Sequence, residues 1–362
     1  MDSHFEAART LFQEGVVHYQ AGRLAPAEQK FAAALALVPG RPSVLTNLGA
    51  VRLKLGRTEE ALAVLEEALA AEPGNAEALG HCATALAELG RMREAEALFE
   101  RALAADDRSP ALWMLRGTVL RETGQAEEAA TCFREALARG GDAELLRYYL
   151  ASVEGSQAPV HPPRRYVEAL FDRYAGDFDR HLQALRYDAP QVLVRRLAAS
   201  GRKWQHALDL GCGTGVCGPL LRPLAARLTG VDLSAAMVQR AARLGVYDEV
   251  RQAEAVEFLA GAMEAFDLVV AADVFIYVGA LDEVFAALAQ RMPAGGSFCF
   301  TVEDGGSQEL VLRSSLRYAH SDGYVRAQAG KHGFAVVHAE RRALRQEQRE
   351  AVAGLFYWME KA

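Results

Sequence analysis

Glycine returns every 34 residues in the first half of this chain, at Gly22, Gly56, Gly90 and Gly124. Five residues after each stands an alanine (Ala27, Ala61, Ala95, Ala129). Four further on comes a large apolar residue (Phe31, Leu65, Phe99, Phe133), and three beyond that another alanine (Ala34, Ala68, Ala102, Ala136). Spacings of three and four place these positions on one helical face. A fixed period of this length describes stacked helical hairpins, none of which can bury its apolar face alone. Small alanines let the two helices of a hairpin approach, and glycine accommodates the turn between them. Pro39 and Pro73 close the first two units, and DAELLRYYLASVE (142–154) reads as a helix that closes the stack.

The chain has 362 residues, 51% of them hydrophobic, which is ample for the cores of two or three domains and excludes wholesale disorder. No long stretch is free of charge and glycine, so no membrane span is expected. The start, MDSHFEAARTLFQEG, lacks the basic and apolar regions of a secretory signal. The five cysteines (82, 132, 212, 217, 299) are scattered without a C-x-x-C pair, which argues against a disulfide framework or a zinc cage. A cytoplasmic protein without a metal site is therefore expected. Residues 1–155 carry 16 basic and 23 acidic side chains, and residues 156–362 carry 24 of each. Neither half suits a polyanion, so nucleic acid is an unsuitable partner. Pro159, Pro162 and Pro163 in SQAPVHPP (156–163) forbid helix and predict a stiff connector between domains.

The period of 34 with its A-x3-F…P pattern resembles the tetratricopeptide repeat, with departures at Cys82–Ala83, Asp107 and Gly141. The resemblance implies an all-α superhelix over 1–155, made of four repeats plus the closing helix, with a groove for a protein or peptide.

The second half alternates. Apolar strands are read at HALDL (206–210), LTGVDL (228–233), near 249–253, FDLVVAADV (266–274) and GSFCFTVE (296–303). Helical patterns are read at 164–180, 189–199, 234–244 and 281–291. Strands alternating with helices imply a mostly parallel sheet covered on both faces. FAVVHAE (334–340) and GLFYWME (354–360) leave no room for a helix between them and should pair antiparallel.

The chemistry lies in Leu208-Asp209-Leu210-Gly211-Cys212-Gly213-Thr214-Gly215, where a strand runs into a glycine-rich turn that opens a helix. Such a turn brings backbone against a ligand and offers it free N–H donors. Asp232, ending the next strand, suits the two hydroxyls of a ribose. A strict G-x-G-x-x-G match runs from Gly213 to Gly218, but it starts two residues late; in register the third glycine falls at Val216. Dinucleotide binding is thus poorly supported, and without G-x-x-x-x-G-K-[ST] so is nucleoside triphosphate binding.

D-L-G-C-G-T-G followed by Asp232 resembles motifs I and II of class I S-adenosylmethionine-dependent methyltransferases. The resemblance covers 164–362. It implies an α/β Rossmann-like fold with a mostly parallel seven-stranded sheet and an antiparallel last strand. It also implies S-adenosylmethionine as cofactor. On this likeness Asp209 holds the methionine ammonium, while Gly211, Cys212, Gly213 and Gly215 form the turn. Asp232 takes the ribose, Leu233 and Met237 flank the adenine, and Glu254 takes the adenine amino group. Tyr174-Ala175-x-x-Phe178-x-x-His181 with Tyr187-x-Ala189-Pro190 is similar to the helical cap of bacterial tetratricopeptide-fused methyltransferases and of the Williams–Beuren-region methyltransferase-like proteins. That likeness implies a cap over the cofactor with Tyr174 near the sulfonium.

Acceptor-side candidates follow. Asp273 is expected near the methionine moiety or the acceptor. Tyr277 lies past the fourth strand, where acceptors sit in open sheets. His320, in the polar stretch RYAHSDGY, is read as a catalytic base, with Arg317 and Tyr318 as substrate-binding residues. Three readings remain open. The repeats recruit a protein, peptide or carrier-bound acceptor to a methyltransferase; or the enzyme methylates a free small molecule and the repeats serve assembly; or the chain is a scaffold with a non-catalytic cofactor domain.

Overall fold

A computed structural model describes residues 2–155, 157–176, 178–347 and 350–362, with the side chains of all of these except Asp2, Ser3, Arg173 and Tyr174. The chain divides into two compact units, Met1–Glu154 and Gly155–Ala362.

The first unit is helical throughout. Its helices are α1 (Asp2–Gln20), α2 (Leu24–Leu37), α3 (Pro42–Lys54), α4 (Thr58–Ala71), α5 (Ala76–Glu88), α6 (Met92–Ala105), α7 (Pro110–Glu122), α8 (Ala126–Ala138) and α9 (Ala143–Glu154). They pack as the hairpins α1/α2, α3/α4, α5/α6 and α7/α8, with α9 against α8. The repeated glycines 22, 56, 90 and 124 all take φ between +72° and +83°, the left-handed conformation that ends the first helix of each hairpin. The repeated large residues Phe31, Leu65, Phe99 and Phe133 are buried, as are the alanines that follow them. A second set of glycines makes room for them. A Cβ on Gly15, Gly49 or Gly117 would stand 2.6, 2.4 and 2.7 Å from Phe31, Leu65 and Phe133. In the third hairpin that place is taken by Ala83, itself buried.

The second unit opens with three helices, α10 (Arg164–Tyr174), α11 (Phe178–Ala184) and α12 (Ala189–Ala199). The α/β body follows: β1 (Trp204–Leu210), α13 (Gly218–Leu221), β2 (Ala225–Asp232), α14 (Ala235–Arg243), β3 (Glu249–Gln252), α15 (Ala255–Gly261), β4 (Leu268–Ala271), α16 (Asp282–Arg291) and β5 (Ser297–Asp304). Last come β6 (Leu310–Leu312), β7 (Tyr318–His320), α17 (Asp322–Lys331), β8 (Phe334–Glu347) and β9 (Glu350–Lys361). Strands β3, β2, β1, β4 and β5 are parallel neighbours in that order. β9 runs antiparallel to β5, and β8 antiparallel to β9. Both faces of the sheet are covered, one by a core around Leu208, Phe285, Phe298 and Phe300, the other by a core around Leu193, Trp204, Leu221 and Trp358. β1 supplies both, Leu208 and Leu210 to the first and Trp204 and Ala207 to the second.

The structure corrects two expectations. The sheet has nine strands rather than seven, because the short antiparallel pair β6/β7 is added beside the end of β5. RYAHSDGY is not polar throughout: Tyr318, Ala319 and His320 are a buried strand, and Ser321 caps α17 through its side chain. Part of the proline-rich segment is hydrogen-bonded within the second unit. The Val160 carbonyl accepts from Ala280 N (2.9 Å), and the Pro159 carbonyl accepts from the Tyr318 hydroxyl (3.0 Å). Gly279 permits this approach, because a Cβ there would lie 2.2 Å from the Val160 oxygen. Ser156 lies outside the described residues.

Candidate active site

The glycine turn leaves β1 at the carboxyl edge of the sheet. Gly211, Gly213 and Gly215 all have positive φ (69°, 54° and 95°), so each needs glycine for its backbone. Their surroundings separate their roles. A Cβ on Gly211 would stand 2.5 Å from Val274, and one on Gly215 would stand 2.6 Å from Leu244; these two glycines serve close packing. On Gly213 a Cβ would meet only the Phe178 ring, at 3.6 Å. Gly213 is therefore where the turn shows bare backbone to a crevice.

Asp232, at the end of β2, ties this turn to the next one. One carboxylate oxygen accepts from Gly213 N at 2.8 Å and the other from Ser234 N at 2.9 Å. Burial raises its pKa, while these N–H donors pull the other way. Each oxygen keeps acceptor capacity for a diol. Ser234 caps α14 by accepting from Met237 N. Leu233 is half-buried and presents surface next to Asp232, whereas Met237 is wholly buried. Glu254 is half-buried and caps α15, accepting from Glu257 N at 2.8 Å. Cys212 is buried against the turn, its amide bonded to Val231 O.

Asp209 is more enclosed than direct contact with an ammonium requires. It is 1% exposed, accepts a 2.6 Å bond from the Tyr247 hydroxyl, and has its pKa pushed up to about 7 by burial. When ionised, it places negative charge beside the turn.

Helices α10 and α11 close over these turns. Thr214 Oγ1 donates to Asp179 (2.5 Å), Ser234 Oγ to Asp172 (2.5 Å), and the Arg240 guanidinium to the Gly176 carbonyl (3.1 Å). The Phe171 ring stands edge-on to Tyr277 (centroids 4.8 Å apart) and to Phe178 (6.3 Å). The sequence singled out Tyr174 for this lid; its side chain lies outside the described residues. Phe171, Asp172 and Asp179 carried no sequence signal beyond membership of an amphipathic helix.

On the acceptor side, Asp273 adopts φ +59°, a strained backbone for a residue with a side chain, and its amide donates to Thr301 Oγ1 (2.9 Å). Its carboxylate meets Arg345, both oxygens lying 3.2 Å from one guanidinium nitrogen. Arg345, 3% exposed, also bonds Glu303 and Glu347. Arg317 pairs with Glu347 and lies 3.4 Å from the Tyr277 hydroxyl. Burial raises the Tyr277 pKa, so the hydroxyl stays protonated at neutral pH. The network Asp273–Arg345–Glu303–Glu347–Arg317–Tyr277 spans the ends of β4, β5 and β8. Arg345 and Glu303 were missed from sequence, since a charged residue inside a late strand reads as solvent-facing until its partners are placed.

Two acceptor-side candidates are displaced. His320 is fully buried on β7, with Nε2 bonded to the Gly279 carbonyl at 2.6 Å, and burial lowers its pKa to about 4. A sealed ring whose Nε2 is committed to a carbonyl is poorly placed to reach an acceptor. Tyr318 is equally buried, and its hydroxyl holds Pro159 instead of a substrate. His320→Asn is expected to lower stability by about 1–3 kcal/mol near pH 7 and leave the shape of the pH–rate profile unchanged. The stability deficit shrinks toward pH 4, because the depressed pKa makes the wild-type ring lose its own contribution as pH falls from about 6.5. Chemical denaturation at several pH values checks the first expectation, and initial rates check the second.

Residues 208–298 match the family model described as a methyltransferase domain, and residues 52–119 and 110–139 match two tetratricopeptide repeat models. The chain joins tetratricopeptide repeats to a methyltransferase domain. Over 142 residues it is 32% identical to malonyl-[acyl-carrier protein] O-methyltransferase of Enterobacter lignolyticus, covering 39% of this chain and 55% of that protein. Over 85 residues it is 36% identical to human methyltransferase-like protein 27, covering 22% of this chain and 35% of that protein. The chain thus spans about half or less of the curated relatives it matches. Among solved structures, magnesium protoporphyrin IX methyltransferase from Synechocystis, with bound SAH, matches 55% of this chain and 99% of that one at 16% identity and a TM-score of 0.43. Among the described residues no helix is long and apolar enough to cross a membrane.

Proposed function

We propose that this chain is an S-adenosylmethionine-dependent methyltransferase whose repeats recruit a protein, peptide or carrier-bound acceptor. One observation carries the cofactor assignment: the Asp232 carboxylate bridges Gly213 N and Ser234 N beside the single turn glycine that faces open space. A carboxylate fixed by two amides suits vicinal hydroxyls and repels a phosphate, so these residues fit a nucleoside. Leu233 and Glu254 flank the place of its base.

When bound, S-adenosylmethionine supplies a methyl group on a sulfonium that is already a good leaving group. The chain's own residues then have two tasks, to orient the acceptor and to exclude water. The lid pairs Asp172–Ser234 and Asp179–Thr214 serve the second. Phe171, Phe178 and Tyr277 offer ring faces and edges beside the crevice, a suitable wall for a cation. Tyr277 and Arg317 serve the first task. Arg317 gives the acceptor side a guanidinium suited to an oxyanion, and an acceptor that arrives as an anion needs no base. Asp273 acts through Arg345 as a positioning residue.

The relatives named for an acyl-carrier-protein acceptor support a macromolecular acceptor, as do the repeats themselves. Tethering raises the local concentration of an acceptor without adding a catalytic contact. The test incubates the whole chain with methyl-labelled cofactor and fractionated host lysate. Label in protein or peptide fractions that disappears on deletion of residues 1–154 supports recruitment. Label in small molecules, unchanged by the deletion, supports the second reading, a free acceptor.

Asp232→Ala is expected to weaken S-adenosylhomocysteine binding at least 100-fold, since it removes the diol acceptor and strands two amide donors. Calorimetry reads the affinity, and circular dichroism checks that the helical unit stays folded.

A further inference from the structure

Tyr247 lies between α14 and β3, outside every motif discussed above, yet it reaches the turn from behind. Its ring fills a slot that three glycines leave open. A Cβ on Gly218 would stand 2.7 Å from its Cζ, one on Gly230 would stand 3.1 Å from its Cδ1 and Cε1, and one on Gly215 would stand 3.2 Å from its Cε2. Gly218 and Gly230 have ordinary negative-φ or extended backbone, so their lack of a side chain is explained by their neighbours and not by conformation: the ring at Gly218, and the ring together with Cys212 Sγ (3.1 Å) at Gly230. Gly218 is also the third glycine of the out-of-register G-x-G-x-x-G. It clears space for a tyrosine rather than for a pyrophosphate. At the end of the slot the Tyr247 hydroxyl donates to Asp209 Oδ2 at 2.6 Å.

We propose that Tyr247 is a positioning residue for cofactor binding, holding the Asp209 carboxylate behind the turn that presents Gly213. The inference rests on the cofactor reading above and adds to it a residue that touches neither cofactor nor acceptor. Several titratable groups face Asp209: Tyr247 comes from the segment before β3, Cys212 and Cys217 from the turn between β1 and α13, and Asp232 from β2. Tyr187, from the segment before α12, also feels its charge. Among these Tyr247 and Cys217 favour the ionised form through hydrogen bonds, while burial and Asp232 oppose it. Removing the phenol hydroxyl therefore moves Asp209 titration upward. Its negative charge behind the turn is then present only at higher pH.

The test measures S-adenosylhomocysteine affinity of the whole chain by calorimetry at pH 6, 7.5 and 9. It compares wild type, Tyr247→Phe, Gly218→Ala, Asp209→Asn and the Tyr247→Phe/Asp209→Asn pair. Tyr247→Phe keeps the ring in its slot. It is expected to weaken binding about tenfold at pH 7.5, more at pH 6, and little at pH 9. Gly218→Ala displaces the same hydroxyl from the opposite side and is expected to give the same displaced pH profile, which keeps the test open should Tyr247→Phe fold poorly. In the Asp209→Asn background, Tyr247→Phe should change affinity less than twofold. An unchanged pH profile in both single variants overturns the inference. So does an equal loss with or without Asp209, which would make Tyr247 a packing residue only. Wild type that binds no S-adenosylhomocysteine overturns the cofactor reading and this inference together; wild type that binds while the variants match it overturns the inference alone.

Discussion

Gly213→Arg is expected to abolish binding of S-adenosylmethionine and S-adenosylhomocysteine, with a loss of at least 1000-fold, while the helical unit keeps its unfolding transition. Gly213 has φ +54°, and its missing Cβ points into the crevice with only Phe178 nearby. A β-carbon costs about 1–2 kcal/mol in that backbone conformation before its side chain is considered. The arginine chain then occupies the space of the ligand and brings a cation where a sulfonium must sit. Gly213→Ala separates the two effects. It keeps the backbone strain, adds a methyl that meets Phe178 at van der Waals distance, and is expected to lose only about 5–20-fold. Calorimetric titration gives the affinities, and thermal unfolding followed at the helical band gives the control. The first unit has its own buried residues around Phe31, Leu65, Phe99 and Phe133, so damage to the turn should not reach them.

Arg345→Met should destabilise the second unit by about 3–5 kcal/mol at pH 8, the cost of leaving buried carboxylates without their cation. Glu303 is 2% exposed, Asp273 is half-buried, and Arg345 bonds both as well as Glu347. The pH dependence has a definite sign. Burial already raises the pKa of Asp273 and of Glu303, and loss of the guanidinium raises both further. A group whose folded-state pKa is raised contributes stability below its unfolded value, near pH 4, and loses it as pH climbs through the folded value. The deficit of Arg345→Met is therefore largest at pH 8 and shrinks toward pH 5, where the two carboxyls take up protons. Denaturant titrations at pH 5, 6.5 and 8 read it. A deficit independent of pH would show that packing of the arginine stem, and not charge pairing, accounts for the loss.

The parts of this molecule that were legible in sequence share a physical feature, local encoding. The helical hairpins announce themselves because each repeat presents the same glycine, alanine and aromatic spacing, and helices are stabilised by neighbours three and four residues away. The turn after β1 is legible because positive-φ backbone all but requires glycine at 211, 213 and 215. Asp232 is legible because a parallel strand places its last residue at the ligand edge. What escaped was encoded by partners far apart in the chain. Arg345 and Glu303 stand 42 residues apart and read separately as surface charges. Asp172 and Asp179 lie on helices whose polar faces look solvated until they dock on Ser234 and Thr214. His320 and Tyr318 misled because neighbouring Arg317, Ser321 and Asp322 make the stretch look polar, whereas β6, the connector and α17 bury its three central residues. The extra β6/β7 pair was missed for the same reason, since strands of three residues leave almost no periodicity to read.

The central claim is that the crevice between the β1 turn and Asp232 binds a sulfonium nucleoside. Its most direct measurement titrates the whole chain with S-adenosylhomocysteine and, separately, with NAD. One S-adenosylhomocysteine bound per chain, undisturbed by excess NAD, is the predicted result. No heat with S-adenosylhomocysteine, or its displacement by NAD, would contradict it.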